Sequence, residues 1–400
     1  MPRALIIGGS VGGLFAANLL RAKGWDVAVY ERAAGDLASR GAAIGLTQEL
    51  MDVMRGLGLR PDFAAGTSVH SYIALDRDGA VIHELARTGV TGAWSHVYRP
   101  LREALPDDCY RAGVVLTRVA QDANGVTAHF ADGSSASGDL LIGADGIYST
   151  VRAQLLPEAR PAYAGYVAWR GIIDEADVEL ADRDLVFNRL LFCFPGGELL
   201  LAIPIPADDT GVVAARGRRA CYIWYRPVDE RGLAVLCTDA SGRQHGITIP
   251  PPLIRPELIA DLTAGARALL PPVLCRMVER AERPLFQAMF DLASPQMVIG
   301  RVVLLGDSAF VARPHVVAGV TKAALDAKGL VDALEAEPDL ATALARYERE
   351  RRAFGDAIVT HARYLGDFLT DPEVGDPDRP SDRRPDVMLR DYGAPHLLRR

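Results

Sequence analysis

Little in this chain of 400 residues points to nucleic acid, membrane or metal. Lys and Arg (44) are outnumbered by Asp and Glu (51), giving a formal charge of −7, so a phosphate backbone would meet repulsion instead of a basic face. The densest cationic run, around Arg349 to Arg352, alternates with glutamates and reads as a solvated helix face. No apolar run is long enough to span a bilayer, and the N-terminus enters a strand with no signal-peptide pattern, so the cytoplasm is the expected location. The five cysteines, Cys109, Cys193, Cys221, Cys237 and Cys275, are odd in number and lack CxxC spacing, which argues against a disulfide framework and a zinc site. No His or Cys cluster has ligand spacing, and no metal is expected.

What is present begins at once. The segment ALIIGGSVGGLFAANLLRAKGWDVAVYER reads as strand, glycine turn, helix, second strand and terminal acid, the span of one βαβ unit. Gly8 permits the tight turn and Gly13 lets the helix approach the sheet. The helix N-terminus at Ser10, Val11 and Gly12 offers free N–H groups and a positive dipole end to a pyrophosphate. Glu31 is placed to accept hydrogen bonds from ribose hydroxyls. Ser10 occupies the middle position of GxGxxG and narrows the phosphate gap by a hydroxymethyl group. With strand, helix and acid in register, a dinucleotide is the expected ligand.

Two further segments matter. DLLIGADGIYSTVR runs from an apolar strand into Gly143, Asp145, Gly146 and Arg152, and GRVVLLGDSAFVARPHVVAGVTKAALDA runs from a strand into Gly306 and Asp307, then through Pro314 to a helix opening at Gly319. Between them the pattern changes. HSYIALDRDGAVIHEL reads as a hairpin turning at Asp78-Gly79, and from about Tyr163 to Arg283 strands such as YVAWRGII, LLLAIPIP and ACYIWYRPV predict an antiparallel sheet, followed by helices that include Leu258 to Leu270. A helix to about Leu334 and a longer one from Pro338 to about Leu369 follow. The last thirty residues, rich in Pro, Asp and Arg, are expected to be irregular, either a packed strap or mobile. At this length two domains sharing an interface are the natural expectation.

The three signatures resemble those of the single-component FAD-dependent aromatic hydroxylases, the family that includes para-hydroxybenzoate hydroxylase, and the likeness covers nearly the whole chain. It is greatest to the 2,6-dihydroxypyridine hydroxylase-like members, which share the serine in the glycine turn, YAGYVxWRG (Tyr163 to Gly171) and GDxAxxxRPH. The chain departs from most members at Phe310, where they carry His, and at Ala318, where they carry Gln or Lys. The resemblance implies an α/β fold: a Rossmann-like FAD-binding domain with an interleaved substrate domain on an antiparallel sheet, and C-terminal helices. Residues 1–70, 96–160 and 285–335 are assigned to the FAD-binding part, 71–95 and 161–284 to the substrate part, 336–370 to the C-terminal helix and 371–400 to the irregular tail. It also implies bound FAD, with NADH or NADPH as a transient visitor because no second Rossmann turn exists to hold it. The implied reaction is hydroxylation by O2, through a C4a-hydroperoxyflavin, of a hydroxylated aromatic or N-heteroaromatic (pyridine-type) small molecule. An epoxidase or dehydrogenase on the same fold, or a noncatalytic flavin-binding redox protein, is the alternative. A halogenase would carry a WxWxIP element, which is absent. A homodimer is compatible with all of this.

Asp307 suits a carboxylate accepting from the ribityl chain or, equally, a helix cap. Asp145 and Gly146 could serve the cofactor or a simple turn, and Arg152 the cofactor or the surface. In the Pro314 loop, Gly319, Val320 and Thr321 begin a helix whose N–H groups can face the N1–C2=O edge of the flavin and stabilise its reduced anion. Pro314, His315 and Gly319 are the candidates for catalysis. For His315 a solvated or backbone-bonded imidazole is the preferred reading. Tyr222 and Trp224 share one strand face and Ile223 and Tyr225 the other; one aromatic pair could wall a flat substrate, or pack the core. Trp169 and Arg170 have the same two readings. Gly306, Arg32, Arg40, Gln48 and Arg99 complete the cofactor candidates, with Arg102 competing with Arg99.

Overall fold

The computed structural model describes residues 1–38, 43–59, 66–206, 218–369, 384–393 and 395–398. Strand β1 (Arg3–Ile7), helix α1 (Val11–Ala22) and strand β2 (Asp26–Glu31) form the expected βαβ unit. Around it lies a six-stranded sheet in the order Val298–Ile299, Val302–Leu304, Leu140–Gly143, β1, β2, Tyr110–Ala112, parallel except for its first edge strand. Its strands read as continuous apolar runs because both faces are covered: Leu5, Ile6, Leu140, Leu141, Ile142, Val302 and Val303 are fully buried. Helix α2 (Gln48–Gly56) packs nearby, with Thr47 capping its Leu50 N–H.

A second, nine-stranded sheet is mixed and mainly antiparallel. Within it strand β3 (Ala162–Asp174), third from one edge, pairs antiparallel with β4 (Arg219–Pro227), Trp169 opposite Trp224 and Ala168 opposite Tyr225. The hairpin turning at Asp76 to Ala80 joins Thr67–Leu75 to Val81–Ala93. Two assignments from sequence move to this sheet. Leu285–Ala293, placed with the FAD-binding part, pairs with β3, and Ala43–Gly45 and the start of Thr67–Leu75, placed inside residues 1–70, also belong here. Apolar alternation marks a strand but not which sheet completes it.

One face of the nine-stranded sheet, with Trp169, Tyr222 and Trp224, packs on the helices Pro256–Leu269 and Pro272–Arg280. The other, with Tyr166, Ala168 and Tyr225, packs on helix α3 (Gly319–Ala336), helix α4 (Leu340–Gly366) and the chain end. The tail is not irregular throughout: helix α5 (Pro385–Asp391) and the short helix Pro395–Leu398 are formed, and Val387, Met388, Leu389, Tyr392 and Leu398 are buried. Their apolar side chains lie under a composition dominated by Pro, Asp and Arg, which hid them; residues 371–383 of the tail lie outside the described residues. Among the described residues no helix is long and apolar enough to cross a membrane.

Candidate functional site

Loops at the carboxyl ends of the parallel strands converge, which is where open α/β sheets bind ligands. Gly8 has φ +109°, and a Cβ there would stand 2.3 Å from the Ala144 carbonyl oxygen; a Cβ on Gly13 would stand 1.9 Å from the Gly8 oxygen. Both glycines are therefore required by close backbone approach. Ser10 is the N-cap of α1 in extended conformation, and its side chain makes no capping bond. Glu31 is buried, with one carboxylate oxygen accepting from Gly9 N (2.8 Å) and the other from Ala33 N (2.8 Å). It thus ties the glycine turn to the end of β2 while keeping lone pairs for a ribose.

Asp145 accepts from the N–H groups of Thr150 (2.7 Å) and Val151 (3.2 Å), starting helix Thr150–Leu155, and its other oxygen is buried without a partner. Arg152 is no surface cation: it is buried and donates to the carbonyls of Ser308 (2.8 Å), Ala159 (3.0 Å) and Ile147 (2.5 Å). It therefore clamps the second signature to the third. Asp307 sits in the tight helical turn Gly306–Ser308 and is exposed, unlike its neighbours Gly306 and Ser308. Enclosure by protein raises its pKa, Lys322 opposes that shift and Asp326 adds to it. It caps no helix among the described residues.

The Pro314 loop differs most from expectation. His315 is completely buried, not solvated. Its Nε2 shares a 2.8 Å hydrogen bond with the Tyr166 hydroxyl, its Nδ1 has no partner, and its ring lies 4.5 Å from that of Tyr225. Burial, with Arg313 second, pushes its pKa down to about 3, so the imidazole is neutral. Arg313 grips Asp291, Nε to both oxygens at 3.1 Å and Nη2 at 2.8 Å, and reaches Asp367 at 3.4 Å. Burial alone would lower the Arg313 pKa, but Tyr166, Asp291 and Asp367 raise it beyond its ordinary value. Beyond the turn Pro314–Val316, Val317 adopts φ 52°, a left-handed conformation costly for a β-branched residue. Gly319 then opens α3, with open space where its Cβ would be. Thr321 is buried and its hydroxyl bonds that of Thr47 (2.9 Å), so it joins α3 to α2.

On β4 the alternation is resolved: Tyr225 stands on the His315 side, whereas Tyr222 and Trp224 face the opposite core and are corrected to packing residues. Trp169 belongs to that same core. Arg170 shares the face of Tyr166 and Ala168. It is half-buried, its Nε has no partner, and it makes no ion pair among the described residues. The nearby Tyr225 hydroxyl is also unpartnered, its pKa raised to about 12 by burial, with Arg170 opposing. Arg102 is committed to Asp107 (2.6 Å), the Leu105 carbonyl and the Tyr110 ring, while Arg99 lies half-buried on helix Ser95–Ala104. Arg32 and Gln48 are exposed, Gln48 bonding Asp52; Arg40 lies outside the described residues.

Sequence reasoning missed Tyr166, Asp291 and the buried cluster Lys322, Asp326 and Arg351, whose partners lie far apart in the chain. Arg351 reaches Asp326 from the cationic run that reads as solvated. An open hollow of about 430 Å³, whose lining includes Met1, Arg21, Trp25, Asp26 and Cys109, lies at the opposite ends of the strands.

Comparison with known proteins gives the family and the fold. A family model described as FAD binding domain-like matches residues 163–291. The 2,6-dihydroxypyridine 3-monooxygenase of Paenarthrobacter nicotinovorans is 31% identical over 388 residues, covering 95% of this chain and 94% of that protein. The solved 2,6-dihydroxypyridine-3-hydroxylase from Arthrobacter nicotinovorans superposes with a TM-score of 0.85 at 28% identity over 96% of this chain and 98% of its own. Klebsiella pneumoniae HpxO, solved with FAD and uric acid, has a TM-score of 0.74 at 25% identity, covering 100% of this chain and 95% of its own.

Proposed function

From the premise that this chain belongs to the single-component FAD-dependent aromatic hydroxylases, we propose that it consumes NADH or NADPH and O2 in the cytoplasm to hydroxylate a hydroxylated N-heteroaromatic ring of the pyridine type. It is an FAD-dependent aromatic monooxygenase. The residues present fit the cofactor. Gly8 and Gly13 leave a cradle that a side chain would fill, Asp307 presents a carboxylate without a hydrogen-bond partner among the described residues, and Gly319 opens a helix onto empty space. When bound, FAD supplies the two-electron chemistry that delivers one oxygen atom of O2 to an electron-rich ring.

The chain itself positions and polarises. The start of α3, with its unsatisfied N–H groups, favours negative charge placed before it without a charged side chain. The observation that carries the ring assignment is the sheet face beneath the His315 loop. There His315 Nδ1, the Tyr225 hydroxyl and Arg170 Nε are all unpartnered beside the apolar Ala168 and Ile223. A flat heterocycle with an ionised ring oxygen matches these groups: the apolar residues take its faces, and Arg170 and Tyr225 draw in the oxyanion that activates the ring. His315, neutral and bonded to Tyr166, orients without exchanging a proton with solvent.

The test is a set of hydroxypyridines, hydroxynicotinates and hydroxybenzoates given to the FAD-loaded protein with NADH or NADPH. Oxygen uptake and a product one oxygen heavier are expected with at least one hydroxypyridine. If none stimulates NAD(P)H oxidation while a benzoate does, the heteroaromatic assignment is wrong.

A further inference from the structure

Lys322 is 1% exposed in the first turn of α3, an unusual place for an ammonium group. Its Nζ lies 3.4 Å from Asp326 Oδ2, and that same oxygen accepts from Gly306 N at 3.1 Å, immediately before Asp307. The other Asp326 oxygen takes Arg351 Nε at 2.9 Å, and Tyr347, whose hydroxyl donates to the Leu304 carbonyl, faces the cluster from α4. Two carboxylates, Asp307 and Asp326, are thus set against two cations, Lys322 and Arg351. The lysine acts on both acids, since its charge also stabilises the ionised Asp307.

A buried ion pair of this kind is weak evidence for stability, because a methionine of similar length and volume often serves as well. Arg351 already satisfies Asp326. The lysine is superfluous for holding α3 but not for the turn before Asp307: its Nζ shares Asp326 Oδ2 with the Gly306 N–H, and among the described residues it is the one cation whose charge reaches Asp307.

We propose that Lys322 is a positioning residue for the flavin: by holding Asp326 Oδ2, which accepts from the Gly306 N–H, it sets the Gly306–Asp307 turn and so aims the Asp307 carboxylate at the hydroxyls of the ribityl chain. This rests on the assignment of Asp307 to the cofactor. It also places a buried positive charge one turn behind the helix start that faces the flavin, where it favours the reduced, anionic cofactor over the oxidised one.

The test uses FAD-free protein titrated with FAD, in the wild type, Lys322→Met, Lys322→Arg, Asp307→Asn and the Lys322→Met/Asp307→Asn double variant. Lys322→Met is expected to fold, to bind FAD at least about tenfold more weakly, and to shift the flavin potential to more negative values; each tenfold loss of preference for the reduced form is about 30 mV. Lys322→Arg restores affinity to within about threefold. In the Asp307→Asn background the Lys322→Met change has little further effect on affinity, because the two act through one contact. Affinity and potential unchanged in Lys322→Met overturn the proposal, as do additive losses in the double variant. If Lys322→Met does not fold, the charge-retaining Lys322→Arg decides, and loss of FAD binding in a folded Lys322→Arg protein overturns it. A wild type that rejects FAD instead contradicts the cofactor assignment.

Discussion

The hydroxyl of Tyr166 and Nε2 of His315 lie 2.8 Å apart in a place that water does not reach. The pair joins strand β3 of the second sheet to the loop that precedes α3, so the loop is registered to the sheet by a side-chain hydrogen bond. A buried imidazole with one satisfied nitrogen costs little while neutral and much when charged.

The neutrality of His315 has a measurable sign. Its folded pKa of about 3 is below the unfolded value near 6.5. Between the two the unfolded chain binds the extra proton, so this group's contribution is fully present above about pH 7 and is lost as pH falls toward 3, at up to about 1.4 kcal/mol per pH unit. Denaturant unfolding of wild type and His315→Gln between about pH 7 and 5 should show the difference in stability shifting against the wild type as pH falls. A difference constant across that range means an imidazole open to water.

Asp291 and Arg313 are each less than a tenth exposed, and the guanidinium spans both carboxylate oxygens. Breaking such a pair from one side leaves a buried charge without its counterion. Asp291→Asn should destabilise the protein by roughly 3 to 5 kcal/mol in equilibrium unfolding. An Asn variant within about 1 kcal/mol of wild type would show that Asp367 alone holds the arginine.

The glycine turn at Gly8 and the Gly306–Asp307 turn were legible because their signals are local: Gly8, Gly13 and Glu31 lie within one βαβ unit, and Gly306, Asp307 and Gly319 within one strand and helix. What was not legible is set by distance along the chain. Tyr222, Trp224 and Tyr225 alternate correctly, yet nothing local says which face meets His315 and which the helices. His315 reads as a loop imidazole until Tyr166, far upstream, and Gly393, which donates its N–H to the His315 carbonyl at 2.8 Å, close over it. Lys322 and Asp326 read as an ordinary helical pair until Gly306 and Arg351 arrive.

Glu31 provides a direct check on the first turn. Its two hydrogen bonds to Gly9 and Ala33 shape the turn and leave lone pairs that, on the proposed function, a ribose would use. Glu31→Ala should weaken FAD binding by about 1 to 3 kcal/mol, read by titration of FAD-free protein. A colourless wild type that rejects FAD, or one with a stoichiometric metal, contradicts the whole assignment.

The chain end is the next test. Helix α5 buries Val387, Met388 and Leu389, Tyr392 packs edge-on against Phe192 at 5.0 Å, and Arg87 donates to the Tyr392 carbonyl at 2.8 Å. Removing residues 384–400 uncovers that surface and frees the His315 carbonyl. A loss of at least about 3 kcal/mol in unfolding is expected, since one buried side chain of this size is worth about 1.5 to 3 kcal/mol. A truncated protein as stable as the full chain would make the tail a passive appendage.

Gly319 separates backbone from side-chain chemistry in the Pro314 loop. A Cβ there meets no protein atom within 4 Å, so Gly319→Val leaves the fold of the FAD-free protein intact and projects its side chain into the space before α3. If the helix N–H groups stabilise charge there, crowding that space misaligns them, and loss of one such donor costs roughly 2.7 to 4 kcal/mol in a transition state, a fall in turnover of about a hundredfold or more. His315→Ala removes a buried neutral ring that orients and does not titrate, so turnover should fall less while thermal stability falls more. The paired measurement is substrate-dependent oxygen consumption and the fraction of NAD(P)H oxidation coupled to product, both at matched FAD occupancy, beside the melting temperature of each variant. A fully coupled Gly319→Val with an inactive but stable His315→Ala reverses the assignment and makes the imidazole the reacting group.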